Sequence, residues 1–506
     1  MPDDTPAPLP IAQRHGRDLD AASPREHGGL TFWSERGAGH ARRLVVAGDP
    51  GGLEPFHGEA SAVAGTTVLR GPYDAANLAA LRAALPNLTP TPLGTRTSAG
   101  FGDRLGMATP GHVDALRATL SEGRIAAVFA QQSMRENART GRTPQEVLDD
   151  ATAGAFVAGW RSPVGADADH LESEDDVDLC LRAGYSMFTI DPGDHVADDA
   201  DALAGADLQA AFETRPPWPA LETDPADLLG RLGDEAIDLG DRSLRFAPGD
   251  LERAAVKYGG AIAHVVRLVR HLRARAGPER AEVEVSVDET ATPTSLAEHA
   301  YLALELSRLG VDWVSLAPRF VGAFEKGVDY IGDVATLAHD LRGHARVAAA
   351  LGPYKLSLHS GSDKFAVYPI AAAATGGRVH LKTAGTSYLE ALRVAGAVEP
   401  ALLHDVVRLG LERFAEDVRS YHVSGRPEGV PDPDALPGSA ILALLELSDA
   451  RQVLHVTFGS ALTRHGERLR AVLGAHEGAY RAALRRHLER HLAPFVPHAH
   501  LQEVDA

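Results

Sequence analysis

The hydrophobic positions of this chain fall in short runs, and the runs end alike. Ile125-Ala-Ala-Val-Phe-Ala130 passes directly into Gln131-Gln-Ser-Met-Arg-Glu-Asn137, and residues 354–358 pass into His359-Ser-Gly-Ser-Asp-Lys364. A short apolar run that opens into glycine-marked polar sequence and then an Ala-rich stretch is one strand–helix unit of a parallel sheet. Such runs start near residues 98, 125, 160, 185, 282, 311, 354 and 378. Eight units without an internal sequence repeat predict an α/β fold, a (β/α)8 TIM-type barrel with its chemistry at the C-terminal ends of the strands. The run at 281–288 alternates strictly, with Glu282, Glu284, Ser286 and Asp288 on one face and Val283, Val285 and Val287 on the other. One face therefore meets helices and the other a polar barrel interior.

Outside the eight units the pattern changes. Residues 1 to about 60 are polar with scattered Gly and Pro, a first strand-like run follows at 67–70, and a helix runs from Asp74 until Pro86 stops it. Between 196 and 246 the chain is acidic and weakly periodic, and a long helix is expected over 249–274. The organisation predicted is an N-terminal extension or cap over 1–95 and a catalytic barrel over 96–390, with an insertion at about 196–276. A mainly helical region over 391–506 then packs on the barrel or on a second subunit of a homo-oligomer, with an extra strand at 453–458 and an Arg-rich helix near 481–492.

Charge and cysteine content narrow the function classes. Fifty Lys and Arg against 69 Asp and Glu give a net charge of −19, which argues against a nucleic-acid groove or an anionic membrane surface. One cysteine, Cys180, leaves no intrachain disulfide and no thiolate zinc site, so a cytoplasmic, soluble protein is expected. Residues 1–10 lack a signal-peptide pattern, and no run of 18 apolar residues occurs. Neither a P-loop nor a dinucleotide fingerprint is present, since Gly361 and Gly385 are isolated.

Candidate chemistry gathers where strands end. Asp169-His170 sets a carboxylate beside an imidazole, which suits a proton acceptor next to a metal ligand, although a helix-capping Asp with an exposed His has the same spacing. His359 ends its strand, as a ligand or as a structural histidine, and His380 lies inside its own. Glu284 and Asp288 face the interior, where carboxylates are seldom left without a cation. Arg135, Arg319, Lys364 and Lys382 all follow strands and would capture an anionic ligand. Glu325 and Lys326 also fit an exposed loop pair, and His195 a cap partner.

Six motifs in one order are similar to the tagaturonate epimerase family over about residues 95–460. They are Gly100-Phe-Gly-Asp-Arg-Leu-Gly106, Phe129-Ala-Gln-Gln-Ser-Met-Arg-Glu-Asn137, Gly165-Ala-Asp-Ala-Asp-His170, Ser286-Val-Asp-Glu-Thr290, Pro318-Arg-Phe-Val-Gly322 and Lys355-Leu-Ser-Leu-His-Ser-Gly-Ser-Asp-Lys364. The resemblance implies an isomerase of hexuronate breakdown that interconverts two small ketouronates, D-tagaturonate and D-fructuronate, with a divalent metal. It places the proton acceptor at Asp169 and metal ligands at His170 and His359, with Glu284 chosen as donor and Glu325 or His380 as the remaining ligand. Gln132, Arg135, Asp288, Arg319, Lys364 and Lys382 make up the expected substrate-binding set. Imidazole and carboxylate ligands without thiolates suit zinc, manganese, nickel, cobalt or iron.

The substrates themselves constrain the mechanism. They differ at the hydroxyl-bearing carbon β to the ketone, whose C–H bond is not acidified by that carbonyl. A retro-aldol cleavage followed by rotation of the aldehyde and bond re-formation inverts this centre, as in class II aldolases, whose metal polarises the ketone. An aldolase or epimerase acting on another sugar acid, and a non-catalytic sugar-acid scaffold, are the alternative readings.

Overall fold

The computed structural model describes residues 10–37, 41–63, 65–277, 279–360 and 362–499. A short helix, Pro10–His15, precedes five antiparallel strands: β1 (Arg25–His27), β2 (Leu30–Arg36), β3 (Arg42–Gly48), β4 (Glu59–Val63) and β5 (Thr66–Pro72), in the order β1-β2-β3-β5-β4. Trp33, Val45, Ala47 and Val68 form the core on one face of this sheet. A helix Ala75–Ala84 follows, with the Asp74 side chain accepting from the Asn77 N–H at its start.

The eight expected runs then appear as β6 (Ser98–Gly100), β7 (Ala126–Ser133), β8 (Val164–Leu171), β9 (Met187–Ile190), β12 (Glu282–Val287), β13 (Ser315–Pro318), β14 (Lys355–Leu358) and β15 (Val379–Lys382). They close into a barrel in chain order, with β15 beside β6. Val283, Val285 and Val287 are buried on one face of β12, and Glu282, Glu284 and Ser286 on the other. At one end of that polar face, Glu282 accepts from the backbone N–H groups of Leu93 and Gly94.

The acidic segment after β9 contains two helices, Gly205–Thr214 and Pro225–Leu232, and a hairpin of β10 (Ala236–Asp238) and β11 (Ser243–Arg245). The long helix expected next spans Asp250–Ala276. Beyond the barrel the chain is helical, and the strand expected at 453–458 is absent. Ala450, Val453 and Leu454 share a buried face at helical spacing, so Ser448–Val456 is a helix and another begins at Phe458. No described helix is long and apolar enough to cross a membrane.

The chain divides into two compact units: residues 1–91, 100–166 and 384–492, and residues 92–99, 167–383 and 493–506. In the first, Tyr388, Leu392, Leu403, Val453, Phe458 and Leu484 belong to one continuous core. The second unit carries the polar interior described next.

Candidate metal and catalytic site

The site begins with an irregularity in β8. Asp167 pairs with Met187 and Ala168 with Phe188, but Leu171 then pairs with Ile190. Asp169 and His170 therefore stand opposite the single residue Thr189, which is a β-bulge. In a regular strand, Asp169 and His170 would point to opposite faces. The bulge, with His170 at φ 52°, turns the imidazole onto the side of its neighbour, and both are buried. Positive φ at a histidine is costly and recurs at functional positions.

Each of two imidazoles is held by a carboxylate. His170 Nδ1 lies 2.8 Å from Asp191 Oδ2, and the other Asp191 oxygen accepts from the Gly193 N–H at 2.9 Å. His359 follows β14, and its Nδ1 lies 3.1 Å from Asp288 Oδ1. The Ser286 hydroxyl donates to that same oxygen at 2.5 Å. The two rings stand edge to face with centroids 5.0 Å apart. Nε2 of His359 is 2.6 Å from Glu284 Oε1, and Nε2 of His170 is 3.8 Å from Asp169 Oδ1. One ligand atom each from Asp169, His170 and His359 falls within 4.8 Å of the others.

Lys382 crosses the interior from β15 to these groups. Its ammonium is 2.6 Å from Asp169 Oδ1, 2.8 Å from Glu284 Oε1, 2.9 Å from Asp167 Oδ2 and 2.8 Å from the Thr189 hydroxyl. Burial works to raise the pKa of Asp169 and Glu284, yet the Lys382 charge beside them, with the neighbouring imidazoles, holds both below the usual carboxylate range. Asp288 is likewise lowered against its burial, chiefly by His359. Burial alone would lower His170, but Asp169 and Asp191 push it up to about 10. His359 is also raised, with burial and Lys382 opposed by Asp288 and Glu284. Carboxylates thus outnumber lysines in a dry site, and the balance calls for positive charge, from imidazole protons or from a bound divalent cation. Two imidazoles anchored through Nδ1 and turned through Nε2 toward carboxylates fit such a cation.

The remaining expected residues are placed as follows. His380 points into the interior two residues before Lys382, with Nδ1 2.8 Å from the Ser98 hydroxyl and a pKa lowered by burial. Glu325 and Lys326 are half-buried in the loop after β13. The Lys364 ammonium donates to the carbonyls of Glu325, Val328 and Ser362, fastening that loop. Arg319 Nε is buried without a hydrogen-bond partner. Arg135 donates to the Ser420 carbonyl at 2.9 Å and lies over the Tyr421 ring, and the Gln132 amide donates weakly to the Thr140 hydroxyl at 3.4 Å. His195 is exposed and stacks on His264. Sequence reasoning passed over Asp167, Thr189 and Asp191. The two-residue period from Asp169 back to Asp167, and from Asp191 back to Thr189, was the signal available.

A family model described as tagaturonate epimerase matches residues 37–495. A tagaturonate/fructuronate epimerase of Thermotoga maritima is 42% identical over 449 residues, covering 88% of this chain and 90% of its own. The crystal structure of the fructuronate-tagaturonate epimerase of Cohnella laeviribosi with one glycerol superposes with a TM-score of 0.87 at 32% identity, covering 94% of this chain and 96% of that one. The native crystal structure of the same protein gives 0.85 at 31% identity, with the same coverage.

Proposed function

The chain belongs to the tagaturonate epimerase family, and from that premise we propose that it interconverts D-tagaturonate and D-fructuronate with a divalent cation bound by His170, His359 and carboxylates beside them. The observation that carries the metal is the pair of histidines whose Nδ1 atoms meet Asp191 and Asp288 and whose Nε2 atoms face Asp169 and Glu284. Glu284 fits the open ligand position better than Glu325 or His380, because its oxygen already shares the space in front of His359 Nε2. When bound, the cation supplies electrophilic polarisation of the substrate ketone.

The chain's own groups divide the remaining work. Asp169, kept ionised at neutral pH by Lys382, accepts the proton of the β-hydroxyl as the bond between the α and β carbons breaks. That hydroxyl carbon becomes an aldehyde, and the bonding pair passes to the ketone fragment as an enediolate. Rotation of the aldehyde and re-formation of the bond invert the centre, and the proton returns to the new hydroxyl. Glu284, flanked by Lys382 and His359, is held ionised and suits a ligand or acceptor better than the donor role expected from sequence. Arg319 is the cation best suited to the substrate carboxylate, since Lys364 and Arg135 have backbone carbonyls to bond. A cytoplasmic location belongs to the same proposal, supported by the single, buried cysteine.

The test is metal analysis of the purified protein together with turnover of D-tagaturonate before and after chelation. Bound divalent metal and loss of turnover on its removal are expected. Undiminished turnover by metal-free protein would overturn the metal assignment, and absence of turnover with metal restored would overturn the substrate.

A further inference from the structure

Two buried side chains beside the candidate site, Asp167 and Thr189, have no part in the proposed proton transfer. Lys382 stands on β15, which is three strands from β8 in one direction around the barrel and three from β12 in the other, so its side chain spans the interior. An ammonium has three protons. Four oxygens surround this one within 2.9 Å: those of Asp169, Thr189 and Glu284, and the more distant Asp167. The competition is settled at Thr189, whose hydroxyl accepts from Lys382 and donates its own proton to Asp167 Oδ1 at 2.8 Å, with Glu284 Oε1 farther away at 3.3 Å. Asp167 and Thr189 are each 0% exposed, so water does not substitute for either partner.

Depth gives the arrangement its sense. Asp167 precedes Asp169 by two residues on the same face of β8, which sets it one layer, roughly 6 to 7 Å, deeper in the barrel. Thr189 is in register with Glu284 on the adjacent strand. Asp167 thus meets the ammonium from the layer below, while Thr189 links it to the layer of Asp169 and Glu284, where the imidazoles converge.

We infer that Thr189 and Asp167 are positioning residues for the epimerisation: they seat the Lys382 ammonium so that its remaining N–H groups fix the carboxylates of Asp169 and Glu284. The inference rests on the proposed function, in which Asp169 is the proton acceptor. A lysine freed from this seat shifts toward either carboxylate, and a misplacement of about 1 Å can cost roughly 100-fold in rate.

Thr189→Val removes the hydroxyl at nearly constant volume, and Thr189→Ser keeps the hydroxyl while losing a methyl. Both are assayed for kcat, KM, bound metal and thermal midpoint. Thr189→Val is expected to lower kcat on the order of 10- to 100-fold with KM within about twofold and metal content unchanged, whereas Thr189→Ser recovers most of kcat. Where Thr189→Val does not fold, Asp167→Asn, which preserves side-chain volume, must show the same split. The inference is overturned if Thr189→Val, or in its place Asp167→Asn, keeps kcat within about twofold of the parent. It is equally overturned if the Val and Ser variants lose kcat alike, which would make the role one of packing. An active Asp169→Asn enzyme would instead overturn the acceptor assignment, whatever the Thr189 variants do.

Discussion

Replacing Lys382 by Met should destabilise the protein and do so in a way that depends on pH. The ammonium is 3% exposed and serves three carboxylates, of which Asp167 and Glu284 are 0% exposed and Asp169 is 6% exposed. Removing one partner of a buried ion pair typically costs about 3–5 kcal/mol, because the charge left behind is uncompensated. With metal removed by chelation, so that ligand occupancy is equal in both proteins, urea unfolding followed by circular dichroism measures the loss. In the parent, Lys382 holds Asp169 and Glu284 below their ordinary pKa values. Their contribution is therefore present above the unfolded values of about 4 and lost as pH falls through the folded ones. In Lys382→Met the largest lowering influence is gone and only the imidazoles still oppose burial and mutual repulsion, so both carboxyls protonate more readily than in the parent. The penalty should be largest near pH 8 and shrink toward pH 5. Asp167→Asn should cost less in the Lys382→Met background than in the parent, because it removes one of the stranded charges. A penalty below about 1 kcal/mol, or single and double variants that add to within about 0.5 kcal/mol, would refute the cross-barrel ion cluster.

Two further outcomes concern the imidazole anchors and a buried histidine elsewhere in the chain. Asp191→Asn and Asp288→Asn each remove a carboxylate from behind an imidazole, so each should weaken divalent-metal affinity by about 10- to 100-fold; titration calorimetry giving parental affinity for both would disprove the anchoring role. His112 is buried at 0% exposure beside Ser387, and burial lowers its pKa to about 4 from an ordinary 6.5. Its neutral form adds stability that is whole above pH 6.5 and drains as pH falls toward 4, about 3 kcal/mol at most. His112→Gln should flatten the pH dependence of the unfolding free energy over that range, and an unchanged slope would count against it.

The barrel was legible because its strands are buried on both faces and end in sequence of a different character. All eight lie close to where the apolar runs begin, and β8 continues to Leu171 because polar residues carry the ladder on inside the barrel. The N-terminal sheet was mostly hidden. β1 has three residues, and the edge strand β4 has no buried residue, so neither leaves an apolar run. Val453 to Phe458 looks like a strand only if Ala450, which shares a helical face with Val453 and Leu454, is ignored.

The candidate site divides along the same line. Glu284 followed from alternation, and Asp169, His170 and His359 from adjacency to strand ends and from family motifs. The bulge that turns His170 inward depends on register with β9, which no local pattern carries. Long cations behaved least predictably. A strand end fixes where the Cα of Lys364 or Arg135 lies, but their side chains extend to the carbonyls of Val328 and Ser420.

The proposed epimerisation breaks a carbon–carbon bond at the centre that inverts. D-tagaturonate carrying deuterium at the hydroxyl carbon β to the ketone should therefore give D-fructuronate that retains the label, since that hydrogen stays on carbon as the aldehyde hydrogen. Unlabelled substrate turned over in heavy water should acquire no deuterium there. Solvent deuterium at the inverted carbon, read by nuclear magnetic resonance before equilibrium is reached, would contradict the retro-aldol path and require proton removal from that carbon instead.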